Sequence, residues 1–261
     1  MDAAHTIREA VAQVAALRLA SAARPELASA VTAIKRFQSR RFALTYADLL
    51  ASGPYQSASR FFLDELYSDK DYSQRDAQFS RIANALQTVF PKHVVVTAVA
   101  LAQLHSLTEG LDHAMGLAWL AAGDADLSYP TDVFSVASDD SLGYRPNEAA
   151  RYVAAWRAVG RRGDRDAQLS SVLLVGQELD RLTRAPGLGL LLKMMRRPAH
   201  AAGLSALQSF LEAGFDTFAQ MSGRGQGARV FLALIQNRES ALIHDLFIAD
   251  AVTLETKLSK L

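Results

Sequence analysis

Four ionisable side chains recur at near-helical spacing late in the first half of the chain: His105, Glu109, Asp112 and His113. His105 and Glu109 stand four residues apart, as do Glu109 and His113. Such pairs present two ligating or proton-transferring groups from one side of a helix. The three cannot share one ion, because eight residues of helix rise about 12 Å. Further ligands would have to come from other segments, with Glu65 and Glu178 the natural donors. A bundle-type di-iron site needs two Glu-x-x-His pairs, and the chain has none. It also lacks His-Glu-x-x-His and a Cys-x-x-Cys-His haem attachment. No metal and no cofactor are therefore assigned.

A second group lies between Tyr55 and Ile82. Winding Tyr55–Tyr67 as a helix puts Tyr55, Phe62 and Leu66 on one face, with Glu65 at the edge of the apolar arc. A carboxylate there either reaches the rim or is buried with a donor. Ser68–Asp71 breaks the helix. Ser73 with Asp76 three residues on has the form of a capping box, and Arg75 can reach back to Asp71 or across to Glu65. The ligand-binding candidates are Glu65, Tyr67, Arg75, Asp76, His105, Glu109 and His113; no catalytic residue is assigned. Nucleophilic hydrolysis has no Gly-x-Ser-x-Gly elbow behind it. Gly223–Gly227 is glycine-rich but lacks the Gly-Lys-Ser/Thr ending of a phosphate loop.

The elements that must position these groups read as helices throughout. Ile7, Val11 and Val14 mark a first helix. Pro25 suits the first turn of a second, which carries Leu27, Val31, Ile34, Phe37, Leu44 and Leu49 on its apolar side. Its other side shows Lys35, Arg36, Arg40 and Arg41, either a solvated face or a docking patch for an anionic partner. Pro91 opens a long helix to about Leu120. Its first half is apolar nearly all round, as befits a central helix, and its stripe then turns ionisable at His105. The phenylalanine-bearing segment is expected to lie against this helix. An irregular segment near 123–146, with a short helix around 131–137, divides two bundle-like halves. Further helices are expected from Glu148, over Gln168–Thr183 with Asp164 as cap, over Leu188–Met195 and over Ala202–Met221. A last one, Gly227–Leu258, is expected to break near Asn237. The fold class is all-α: a single domain, 1–261, of about ten helices arranged as a bundle.

Phe61–Tyr67, reading FFLDELY, with Asp71-Tyr72-Ser73, Arg75-Asp76, His105-x-x-x-Glu109 and Arg238-Glu239, resembles a bacterial helical family named for its FFLEELY motif. Asp64 stands where the motif has Glu. That family has no established activity, so the resemblance implies a fold and a set of suspect residues but no mechanism.

Composition bounds the function. The chain has 261 residues, with 28 basic and 27 acidic side chains and a net charge of +1. This balance gives no global drive toward nucleic acid. There is no cysteine, which excludes disulfides and thiolate chemistry and fits a reducing compartment. The opening residues lack a secretory h-region, and the apolar run Val94–Ala102 is far short of the roughly 20 residues of a membrane span. The expectation is a cytoplasmic binding or interaction protein, holding a partner protein or a small apolar ligand, with room for a homodimer. The alternative is an enzyme or metal- or cofactor-binding protein with a carboxylate/His site between helices.

Overall fold

The computed structural model describes residues 2–122, 148–222 and 227–258. The segment expected to be irregular, with its short helix at 131–137, lies outside these residues. Among the described residues there are thirteen helices and no strand: α1 (Ala3–Ala22), α2 (Pro25–Thr45), α3 (Ala47–Ala51), α4 (Gln56–Glu65), α5 (Ser73–Val89), α6 (Lys92–Ala121), α7 (Glu148–Val159), α8 (Arg162–Thr183), α9 (Leu188–Met194), α10 (Arg196–Ala201), α11 (Ser205–Ser222), α12 (Gly227–Ile248) and α13 (Ala251–Leu258). Three of them, α3, α9 and α10, are shorter than eight residues; the other ten match the expected number.

Helix α6 is the axis. It packs against α1, α2, α5, α7 and α8. By length and composition it could cross a membrane, which the nine-residue apolar run did not suggest. Here it buries Glu109 and Asp112 among the other helices instead. Its first half is not enclosed as expected, since Val96 is 55% exposed. Close approach to α2 depends on Gly116, where an added Cβ would lie 2.6 Å from Val31 Cγ2 and 3.2 Å from Leu27 Cδ1. Gly116→Val is therefore expected to destabilise the fold by about 1–3 kcal/mol through overpacking, read as a lower midpoint in urea.

Three apolar clusters fill the interior. One joins Phe37 of α2 and Trp119 of α6 to Tyr152 and Trp156 of α7. A second joins Phe42 and Phe62 to Phe218 and Phe231. The third seats Ile7 of α1 against Ala83 and Leu86 of α5 and Ala102 of α6. The expected halves thus interlock, because α2 contributes to the first two clusters together with helices from the end of the chain.

Several local expectations are corrected. The second helix ends at Thr45, and Arg238 of α12 donates to the Thr45 carbonyl and to both oxygens of Asp48, each at 2.7 Å. Ser73 is the first residue of α5 and not its cap. Asp71 takes the capping task, accepting from the Ser73 amide and hydroxyl, both at 2.8 Å. Helix α8 already starts at Arg162, and Asp164 sits in its first turn. The short apolar helix ends at Met194, close to where it was expected to, but Arg196-Arg197-Pro198 opens a further helix, α10, where proline fits the first turn. Helix α12 runs through Asn237 without a break; the break comes at Asp250, whose carboxylate accepts from the Thr253 amide at 3.0 Å. Finally, α4 packs mainly on α11 and α3 rather than on α6.

Of the basic row on α2, Arg36 lies at the surface as a solvated face would have it, whereas Lys35 and Arg40 are half-buried and Arg41 is buried. Lys35 donates to Glu109, Arg36 to Asp69, Arg40 to Glu148 and Arg41 to Glu239. One helix is thereby tied to α6, to the α4–α5 connection, to α7 and to α12.

Candidate functional site

Because α4 leans on α11, a pocket of about 110 Å³ remains between its C-terminal end and α6. Six of the seven candidates line it: Glu65 at the end of α4, Tyr67 in the connection, Arg75 and Asp76 in the first turn of α5, and His105 and Glu109 on α6. His113 is elsewhere, with its Nδ1 3.1 Å from Ser21 Oγ of α1. Eight residues advance a helix by about 800°, so His113 points about 80° away from His105. The apparent stripe had drifted off the pocket by then.

The charged groups of the pocket are held in pairs. Arg75 Nη1 donates to Glu65 Oε2 at 3.2 Å, and its guanidinium carbon lies 3.9 Å from the Tyr72 ring centre and 4.4 Å from that of Phe210. This sandwich fixes a cation between two aromatic faces. Asp76 Oδ2 meets His105 Nε2 at 2.9 Å and Arg18 Nη2 at 2.8 Å. Lys35 Nζ donates to Glu109 Oε1 at 2.7 Å. Deeper in, Gln38 Nε2 donates to Asp112 Oδ1 at 3.0 Å and Gln168 Nε2 to Thr108 Oγ1 at 2.8 Å.

Lys35, Gln38, Asp112 and Gln168 belong to the pocket but not to the candidates. Asp112 had a signal, since it shares the stripe with His105 and Glu109. Lys35 and Gln38 come one turn apart on α2, where the sequence pattern resembles any polar face. Gln168 had none.

Behind the pocket lies a second buried network. Arg41 Nη1 and the Tyr46 hydroxyl donate to Glu239 Oε1 at 2.7 and 3.0 Å, and the Tyr67 hydroxyl approaches Oε2 at 3.5 Å. Arg41 and Glu239 are both almost fully buried. Burial pushes the Tyr46 and Tyr67 hydroxyls well above the usual phenol range, and Glu239 pushes them further. Arg165, stacked 4.0 Å over Trp156, keeps its Nη2 buried without a partner among the described residues.

Two carboxylates of the pocket respond to pH in opposite senses. Burial alone would raise Asp76, but the hydrogen bond and charge of His105, joined by Arg18, outweigh it and hold its pKa below the ordinary value. Burial dominates for Asp112, raising its pKa despite the pull of Lys35 and Arg165. A lowered pKa means that the Asp76 contribution is present above the unfolded value, about 3.9, and is lost as pH falls through the folded one. A raised pKa means that Asp112 favours the fold most at low pH and loses that contribution as pH rises through its folded value. Asp76→Asn is expected to lower neutral-pH stability by about 1.5–3 kcal/mol, the value of a hydrogen bond to a charged group. It is also expected to flatten the acid limb of the melting-temperature profile below pH about 4. Asp112→Asn should shift that profile the other way at neutral pH, raising the melting temperature. Thermal melts from neutral to strongly acidic pH distinguish the two.

The Asp76–His105 contact can set an imidazole tautomer, as in general-base pairs. Of the hydroxyls lining the pocket, Ser68 Oγ lies 2.6 Å from Tyr72 Oη, and Thr108 Oγ1 accepts from Gln168. Among the described residues no group of three His, Asp or Glu side chains is arranged to hold a metal ion.

The polar pocket is also one end of something larger. Leu66, Phe79, Leu101, Leu104, Leu207 and Phe210 line both it and an apolar cavity of about 340 Å³. That cavity runs between α5, α6, α8, α9 and α11, with Gln208 and Thr97 the polar residues on its wall. Fold and site together define an all-helical protein with a charged pocket opening on an apolar chamber. The chain matches, over residues 17–252, the model of a domain of unknown function, DUF8198, and belongs to that family. No curated protein and no solved structure matches it.

Proposed function

We propose that the protein binds a small amphipathic molecule, with the apolar body in the larger cavity and the polar end among Arg75, His105 and Lys35. One observation carries this reading: the paired charges and the apolar chamber share a wall, so a single ligand can touch both. Sites of a few hundred Å³, mostly apolar with a few convergent polar groups, are the usual form of small-molecule pockets. The FFLDELY segment and the Arg238-Glu239 pair fall within the matched domain, which supports the finer proposal that the chain belongs to the bacterial FFLEELY-motif group.

The test is extraction of the purified chain with organic solvent and mass spectrometry of what is released, beside titration with an environment-sensitive apolar dye. A stoichiometric amphiphile, or saturable dye binding that it displaces, is expected. If no molecule is released and dye binding does not saturate, the reading falls.

A further inference from the structure

The wall of the apolar cavity on one side is the short pair α9–α10. At about 100° per residue, Leu188, Leu192 and Met195 fall on the cavity side, and each lines it. Leu190 and Met194, four residues apart, fall on the outer side and are 65% and 66% exposed. Leu191 and Met195, at 46% and 40%, are exposed as well as lining. The methionines thus divide: Met115 and Met221 are core, whereas Met194 and Met195 surface here.

The charge around this corner is one-sided. From residue 181 to residue 211 the chain holds Arg181, Arg184, Lys193, Arg196, Arg197 and His200 and no Asp or Glu, in a protein otherwise balanced at 28 basic and 27 acidic groups. Arg181, Arg184 and Arg196 are paired with Glu178, Asp180 and Glu212 from flanking segments. Lys193 and Arg197 are exposed and have no carboxylate at ion-pair distance among the described residues. They stand four apart on either side of Met194 and Met195. Exposed leucines and methionines ringed by unpaired cations are the chemistry of an interfacial element on acidic lipid.

We propose that the α9–α10 corner docks on the surface of an anionic bilayer, with Leu190 and Met194 entering the acyl boundary and Lys193 and Arg197 meeting the headgroups. The same corner then forms the gate through which an amphiphile passes between bilayer and cavity; that gating role rests on the ligand-binding reading, whereas docking does not. A protein partner fits less well. The patch spans two helices of seven and six residues and offers no aromatic anchor, whereas protein interfaces of standard size bury roughly 800 Å² per side and are rich in Tyr, Trp and Phe.

The full chain is incubated with vesicles of phosphatidylcholine alone or with phosphatidylglycerol added, at low and high salt, and pelleted. It is expected to follow the anionic vesicles only and to be released by salt. L190S/M194S and K193E/R197E should each reduce that binding by at least about tenfold while leaving the circular dichroism spectrum and melting temperature unchanged, because all four side chains are exposed. Equal binding to neutral vesicles, no binding to either, variants that bind like the parent, or retention by an acidic protein in place of vesicles overturns the proposal. Dye titration without vesicles separates the two readings. Intact dye binding in K193E/R197E with vesicle binding lost leaves both standing; vesicle binding without any dye binding removes the ligand reading alone.

Discussion

Glu239→Leu is expected to destabilise the protein by about 3–5 kcal/mol, the cost of stranding one partner of a buried ion pair. The melting temperature should fall by on the order of 10 °C. The reason is the setting of Arg41. Burial works against its charge, and Glu239 with the neighbouring hydroxyls more than reverses this, leaving the guanidinium pKa raised above its ordinary value. Removing the carboxylate leaves that charge enclosed, with Nε already lacking a partner among the described residues, and takes the acceptor from the Tyr46 hydroxyl. The double variant Arg41→Met with Glu239→Leu should recover most of the loss, because an apolar pair of similar volume replaces an expensive one. Urea melts of parent, singles and double measure the coupling directly. Losses that simply add would show that the pair does not act as a unit.

Ala98→Phe is the converse case, a change expected to strengthen the fold and to block the proposed ligand site. Ala98 lines the apolar cavity from α6, and a phenyl ring there occupies space that a ligand needs. Filling such a void is expected to stabilise by about 0.5–2 kcal/mol, while dye affinity should drop at least about tenfold if the ring displaces it. Thermal melts and dye titration on the same preparation test both halves. An affinity equal to the parent's would place the site elsewhere.

Much of this was legible in the chain, and the illegible part has a common cause. Pro25 and Pro91 mark the starts of α2 and α6 because those signals are local. The pocket candidates could be named because α4, α5 and α6 follow one another closely, and because His105 and Glu109 lie one turn apart. What local pattern does not encode is which distant helix arrives opposite. Lys35 and Arg41 looked like surface until carboxylates 74 and 198 residues away reached them. The lean of α4 onto α11 is of the same kind; it turned an expected packing contact into an opening. Asp250 and Asp71 do not stand out locally, because Asn237 is as good a break signal as Asp250 and Ser73 as good a cap signal as Asp71.

The row of cations on α2 also sets a timetable for synthesis. Their counter-charges lie 33, 74, 108 and 198 residues further on for Arg36, Lys35, Arg40 and Arg41 respectively. Ribosomes add about 5–20 residues per second, so Arg41 waits roughly 10–40 s for Glu239 to be made. Until then the ion-pair network around α2 is incomplete, and a product truncated before α12 keeps an unneutralised guanidinium where the core should form. Synthesis as far as α12 is thereby a condition for closing this part of the core, and chains cut short of it are left open to proteolysis.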